Sequence, residues 1–217
     1  GVGEMVTITQ SLSDEAVGLI DVSTLGKLLV AGPEAGAFLN RLYPNRFDNL
    51  KPGRIRYGVL GDDAGRITDD GTICRLDDLT YYVTTTSSGA DAVESWFAWW
   101  LTEWGMDVHL TDVSQGLSAF NLAGPRSREI LSGLTDFDCS NESFAYLDGK
   151  RANVAGVPCL LLRIGFVGEL GYELHCPGAL AEHLWDVLLE AGGPFGIRPF
   201  GLEPQRVLRL QKLHILV

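Results

Sequence analysis

The same succession occurs twice along this chain: a strand-like apolar run, a Gly-Pro pair, then a helix-like run. A chain built this way must pack mixed strands and helices. The first copy is residues 27–31, then Gly32-Pro33, then residues 34–42 with Phe38, Leu39 and Leu42 on one helical face. The second is residues 119–123, Gly124-Pro125 and residues 126–134. The repetition points to two related α+β subdomains, residues 1–115 and 116–217. Proline also favours the first turn of any helix, and the pairs taken alone fit that simpler account equally well.

Short β-type runs fill the space between the two copies, at residues 54–60, 66–68, 72–74 and 81–86. Gly61-Asp62-Asp63-Ala64-Gly65 carries turn chemistry and predicts a hairpin, hence antiparallel pairing. A helix follows from about residue 90 to 104, with Val93, Phe97, Trp100, Leu101 and Trp104 on one face. That stripe reads as core or interface. The second half predicts strands near Val154, at 159–166 and 170–174, a helix near 179–191 stopped by Gly192-Gly193, and a last helix over 202–212. Strands and helices mixed without strict alternation argue for an α+β layered fold of antiparallel sheet with packed helices.

Composition excludes several classes of function. The net charge of −11 comes without a Lys/Arg cluster, so no nucleic-acid footprint is expected. No run of about 18 apolar residues occurs, and the start, Gly1-Val2-Gly3-Glu4-Met5, does not look like a signal peptide, so no membrane partner is expected. Cys74, Cys139, Cys159 and Cys176 lie 65, 20 and 17 residues apart and read as reduced core thiols of a cytoplasmic protein. His109, His175, His183 and His214 fit no metal-ligand spacing. No G-x-G-x-x-G follows a strand, so no flavin or NAD site is expected.

Two segments carry chemistry. Asp69-Asp70-Gly71 separates two strand-like runs, where it reads either as a β-turn or as a carboxylate placed to handle a proton or steady a cation. Residues 163–174 hold three glycines within seven residues, with Glu169 and Glu173 four apart; an extended pitch would put both acids on one face. A glutamate there can receive two parallel N–H donors, as from an aminopyrimidine edge, or simply stand solvated in a glycine-rich turn.

Several ordered motifs resemble the aminomethyltransferase (glycine cleavage T-protein) family. They are Asp21-Val22-Ser23-Thr24-Leu25-Gly26-Lys27, residues 28–42, Lys51-Pro52-Gly53-Arg54 through Tyr57, Asp69-Asp70, residues 167–173, and Val207-Leu208-Arg209-Leu210. The wording is most similar to the folate-binding C-terminal region of the sarcosine oxidase alpha subunit, in residues 21–27, Thr84-Thr85-Thr86, residues 140–144 and Gln205. The resemblance implies tetrahydrofolate-dependent transfer of an aminomethyl or methylene carbon. It implies Asp70 as the catalytic carboxylate beside the folate amine, Glu173 as the residue gripping the pterin, and Tyr57, Leu25 and Phe166 as cavity-wall positions. Implied partners are folate, a small methylated amine or aminomethyl donor, and oxidase subunits. The family fold also implies a further β-rich domain beyond the segment read here. A non-catalytic folate-binding or interaction module, or a remnant of a larger amine oxidase subunit, is the alternative.

Overall fold

A computed structural model describes residues 17–212. His214 and the wording of both chain ends lie outside the described residues. Contacts divide the chain into two units. One is Thr24–Gly116 with Leu147–Gly149; the other, among the described residues, is 17–23, Leu117–Tyr146 and 150–212.

Among the described residues the order opens with β1 (Gly18–Asp21), which belongs to the second unit. The first unit runs β2 (Gly26–Ala31), α1 (Ala35–Leu42), β3 (Ile55–Gly61), β4 (Ile67–Arg75), β5 (Thr80–Thr85), α2 (Ala90–Trp104) and β6 (His109–Asp112). Its sheet has the order β3-β4-β5-β2-β6, and all neighbours are antiparallel. The second unit runs β7 (Leu117–Ala123), α3 (Ser127–Ser132), β8 (Gly149–Val154), β9 (Val157–Leu162), β10 (Gly171–Pro177), α4 (Ala181–Gly192), β11 (Arg198–Pro199) and α5 (Leu202–Gln211). Its sheet has the order β8-β9-β10-β7-β1-β11, with one parallel pair, β1 with β11.

The repeat read from the Gly-Pro pairs is present in the backbone. In each unit a strand leads through Gly-Pro into a helix, three strands and a second helix, and β3-β4-β5-β2 corresponds to β8-β9-β10-β7. Gly32 and Gly124 take φ of +143° and +133°, a region that disfavours side chains. Gly32 donates its N–H to the Leu79 carbonyl at 2.9 Å, and Gly124 donates to Leu170 at 2.8 Å. The register agrees as well, Ala31 opposite Thr80 and Ala123 opposite Gly171. Both prolines stand in the turn ahead of the helix rather than inside its first turn. Helix preference alone therefore does not account for the pairs.

Each sheet buries one face under its own helices. In the first unit Phe38 and Leu39 of α1 and Val93 and Phe97 of α2 pack on Val30, Ile73 and Val83. In the second, Ile130 and Leu131 of α3 and Leu184 and Leu188 of α4 pack with Leu122 and Tyr172. The tryptophan stripe belongs to the first core. Trp96, Trp100 and Trp104 are partly buried against it, Trp100 and Trp104 stack at 4.7 Å, and the Arg41 guanidinium lies 3.8 Å from the Trp104 ring centre. The four cysteines are buried.

Two local readings are corrected. Asp69-Asp70-Gly71 is not a turn between two strands but the middle of one strand, β4. Its glycine serves a close approach: a Cβ on Gly71 would stand 1.9 Å from the Thr84 carbonyl oxygen of β5. Glu169 and Glu173 do not share an extended run, because β10 starts at Gly171; Glu169 lies in the bend before it and pairs with Lys212 at 2.6 Å. The hairpin at residues 61–65 forms as expected, closed by the Asp62 N–H donating to the Arg66 carbonyl at 2.9 Å.

Gly71→Ala is expected to lower stability by about 3 kcal/mol, because rigid backbone meets the new methyl group. Gly65→Ala, at φ +73° with nothing within 4 Å of a new Cβ, should cost only about 1 kcal/mol. Urea denaturation of the two variants checks the order; equal losses would remove the close-approach account.

Candidate functional site

Alternation along β4 assigns its two acids to opposite faces. Ile73 belongs to the helix-covered core, so Asp69 and Gly71 share its face, while Asp70 and Thr72 point to the other face. The register carries this pattern across the sheet: Tyr57 of β3 lies opposite Thr72, and Lys27 of β2 lies opposite Thr84 of β5. Asp70, Tyr57, Thr72, Thr84 and Lys27 therefore form one polar stretch on the helix-free face. Tyr57 donates its hydroxyl to Asp70 Oδ2, and the two threonine hydroxyls are 2.8 Å apart. Lys27 is buried and donates to the Leu25 carbonyl at 2.8 Å, so Leu25 contributes its backbone here. Partial burial, then the hydrogen bond and charge of Asp70, push the Tyr57 hydroxyl pKa well up, and the phenol remains a donor across ordinary pH.

Asp69 has a different task. Its Oδ1 accepts from the Thr86 hydroxyl at 2.5 Å and its Oδ2 from the Thr86 N–H at 3.3 Å; Thr86 Oγ1 in turn accepts from the Gly89 N–H at 3.1 Å. Gly89 is the N-cap of α2, so a buried carboxylate stands at the positive end of a 15-residue helix. Burial raises the Asp69 pKa and the Thr86 hydrogen bonds oppose that rise.

In the second unit the sheet face turned away from the core cluster carries polar residues too. Glu173 and His175 alternate with the core residues Tyr172, Leu174 and Cys176 on β10, and Asn121 of β7 lies directly opposite Glu173. Exposures are 9%, 2% and 1% for Glu173, His175 and Asn121. His175 Nε2 and Glu173 Oε2 are 3.1 Å apart. Both side-chain amide atoms of Asn121 are buried without a hydrogen-bond partner among the described residues. An uncompensated buried polar group costs about 1–3 kcal/mol. Phe166 is partly buried in the segment leading to β10.

The expected site residues thus fall into two sets, Tyr57 with Asp70 and the Leu25 backbone in the first unit, and Glu173 with Phe166 in the second. Sequence reading passed over Asp69 as an individual residue, and with it Lys27, Asn121 and His175. A signal was present: each of the last three is a polar residue inside a mostly apolar strand, where burial without a partner is costly.

The family profile described as the GCVT N-terminal domain matches residues 9–217. The chain belongs to the GCVT N-terminal domain family. This GCVT-type chain is 39% identical over 207 residues to the sarcosine oxidase subunit alpha of Corynebacterium sp. (strain P-1), covering 94% of this chain and 21% of that relative. It is 34% identical over 197 residues to the aminomethyltransferase of Desulforamulus reducens, covering 90% of this chain and 52% of that relative. It spans about one fifth and about half of these two relatives respectively. The glycine cleavage system aminomethyltransferase T from Bartonella henselae has the same fold, with a TM-score of 0.82 at 23% identity over 95% of this chain and 54% of that one. The resemblance read from the motifs, and the α+β fold it implied, are borne out.

Asp69 makes a testable contribution to pH dependence. Its folded pKa lies above the ordinary value of about 3.9, so between the two the folded state binds more protons and stability falls as pH rises. The carboxylates held low, Asp48, Asp62, Asp138 and Glu129, act with the opposite sign and at lower pH. Asp69→Asn is therefore expected to flatten the stability profile just above about pH 4. Urea midpoints across that range check it, and identical slopes in variant and wild type would contradict the assignment.

Proposed function

We propose that this GCVT-family domain binds tetrahydrofolate and takes part in one-carbon transfer, as the folate portion of a sarcosine oxidase-type subunit. The observation that carries the reading is the Tyr57–Asp70 hydrogen bond on a helix-free sheet face. Family membership adds weight, since the relatives above are named as aminomethyltransferase and as an oxidase subunit.

The donor and acceptor set suits a reduced folate. Glu173 offers carboxylate oxygens to N–H donors of a pterin, and the Asn121 amide beside it, without a hydrogen-bond partner among the described residues, supports the reading. When bound, a reduced folate supplies the amine nitrogen that takes up the one-carbon unit. Leu25 and Phe166 serve as wall positions.

Asp70 handles the proton. Tyr57 fixes Oδ2, leaving Oδ1 as the oxygen that accepts a proton as the new carbon–nitrogen bond forms and later returns it to the departing amine. Glu173 positions rather than reacts; His175 holds one of its oxygens, which narrows the orientations open to the other. The one-carbon donor is an aminomethyl compound or an iminium, whose carbon is already at the formaldehyde level; a small methylated amine becomes such a donor only after two-electron oxidation by the oxidase subunits proposed as partners, and the compartment is the cytoplasm.

In the full-length protein, calorimetric titration with reduced folate should show saturable binding that Glu173→Ala weakens at least tenfold. Asp70→Asn should bind folate nearly normally while transfer falls by about 10²–10⁴-fold. Binding without any transfer would favour a non-catalytic folate module, and absence of binding would overturn the proposal.

A further inference from the structure

We propose that Asn121 is a second ring-recognition residue, whose amide hydrogen-bonds the 2-amino-4-oxo edge of the bound heterocycle alongside Glu173. The inference rests on the folate reading above and extends it to a residue for which that reading assigned no contact.

Position comes first. Asn121 and Glu173 are direct partners on antiparallel strands, so their side chains leave the same face, with Cβ atoms about 4.5–5.5 Å apart. Nothing polar sits beside Asn121 along its own strand, since its same-face neighbours on β7 are Ala119 and Ala123. Across from Ala123 on β10 stands Gly171. His175 is engaged with Glu173 Oε2. Neither Oδ1 nor Nδ2 of the amide has a hydrogen-bond partner among the described residues.

Chemistry makes the match. An ionised carboxylate only accepts, so Glu173 can meet the two N–H groups of such an edge but not its carbonyl oxygen. A carboxamide both donates and accepts, and Nδ2 of Asn121 supplies the donor that the carbonyl requires. The two residues divide one heterocycle edge between them. Because both amide atoms are closed to solvent, the face must open slightly for the ring to reach them. A purely structural asparagine at this position would instead be bonded to its surroundings, as most buried polar side chains are.

The test uses the full-length protein, titrated calorimetrically with 5-formyltetrahydrofolate and separately with pterin, the ring without its tail. Asn121→Leu is close in size and removes both polar atoms. It should weaken both ligands by about the same factor, roughly tenfold, the scale of one buried hydrogen bond. The melting temperature without ligand should hold or rise, because a buried amide without partners has been removed. Asn121→Ala provides a second variant if leucine does not pack. Unchanged affinity in a folded variant overturns the inference, as does a loss confined to intact folate or a lowered melting temperature with binding intact. The folate reading fails separately: it falls if wild type does not bind or if Glu173→Ala has no effect, whereas the Asn121 inference alone falls if only Glu173→Ala weakens binding.

Discussion

Successive side chains of a strand leave by opposite faces, and in β4 this alternation sends two adjacent aspartates to different work. Asp69 turns toward the helices, where it meets Thr86 and the start of α2. Asp70 turns away, toward the Tyr57 hydroxyl. In each sheet the core residues packed under the helices share one face, and the polar groups Lys27, Thr72 and Asp70 in one unit and Asn121, Glu173 and His175 in the other lie on the opposite face. A one-residue slip in register would exchange these roles throughout, so burial of the helix-facing residues also aligns the polar ones.

Glycines make the repeated backbone possible at two kinds of place. Gly32 and Gly124 adopt the positive φ that turns a strand into the following helix, and each donates to the carbonyl just ahead of the strand paired with its own. Gly71 instead lets two strands come close, and the side chains of Thr72 and Thr84 supply hydrogen bonds where the ladder is disturbed. The carboxylate neighbouring this narrow point is Asp70, held in a strand rather than in a mobile turn. Strand backbone locates a side chain more tightly than a turn does.

The second sheet presents a different balance. Burying Glu173, His175 and Asn121 on one face gives up favourable hydration, and the hydrogen bond between Glu173 and His175 recovers part of it. The wider family contains both an aminomethyltransferase and an oxidase subunit that share this domain over most of its length.

Much of the fold could be read from residue order. The Gly-Pro pairs, the 61–65 hairpin and the apolar stripe of α2 are local signals, and each appears where its spacing placed it. The strand interrupted by Asp69-Asp70-Gly71 was misread because Asp and Gly favour turns when judged alone, while the backbone of β5 is what requires the glycine there. Likewise Glu169 and Glu173 have the spacing of one face, yet only the pairing of β10 with β7 shows where the strand begins. The sequence by itself determined the class of fold, the family and the identity of Asp70 and Glu173 as candidates, because periodicity and ordered motifs are properties of neighbouring residues. Tertiary structure alone decided that Tyr57 meets Asp70, that Asp69 serves a helix, and that Asn121 stands beside Glu173 with its amide unmet. Those facts depend on cross-strand register between segments 13 to 52 residues apart, which no local pattern encodes.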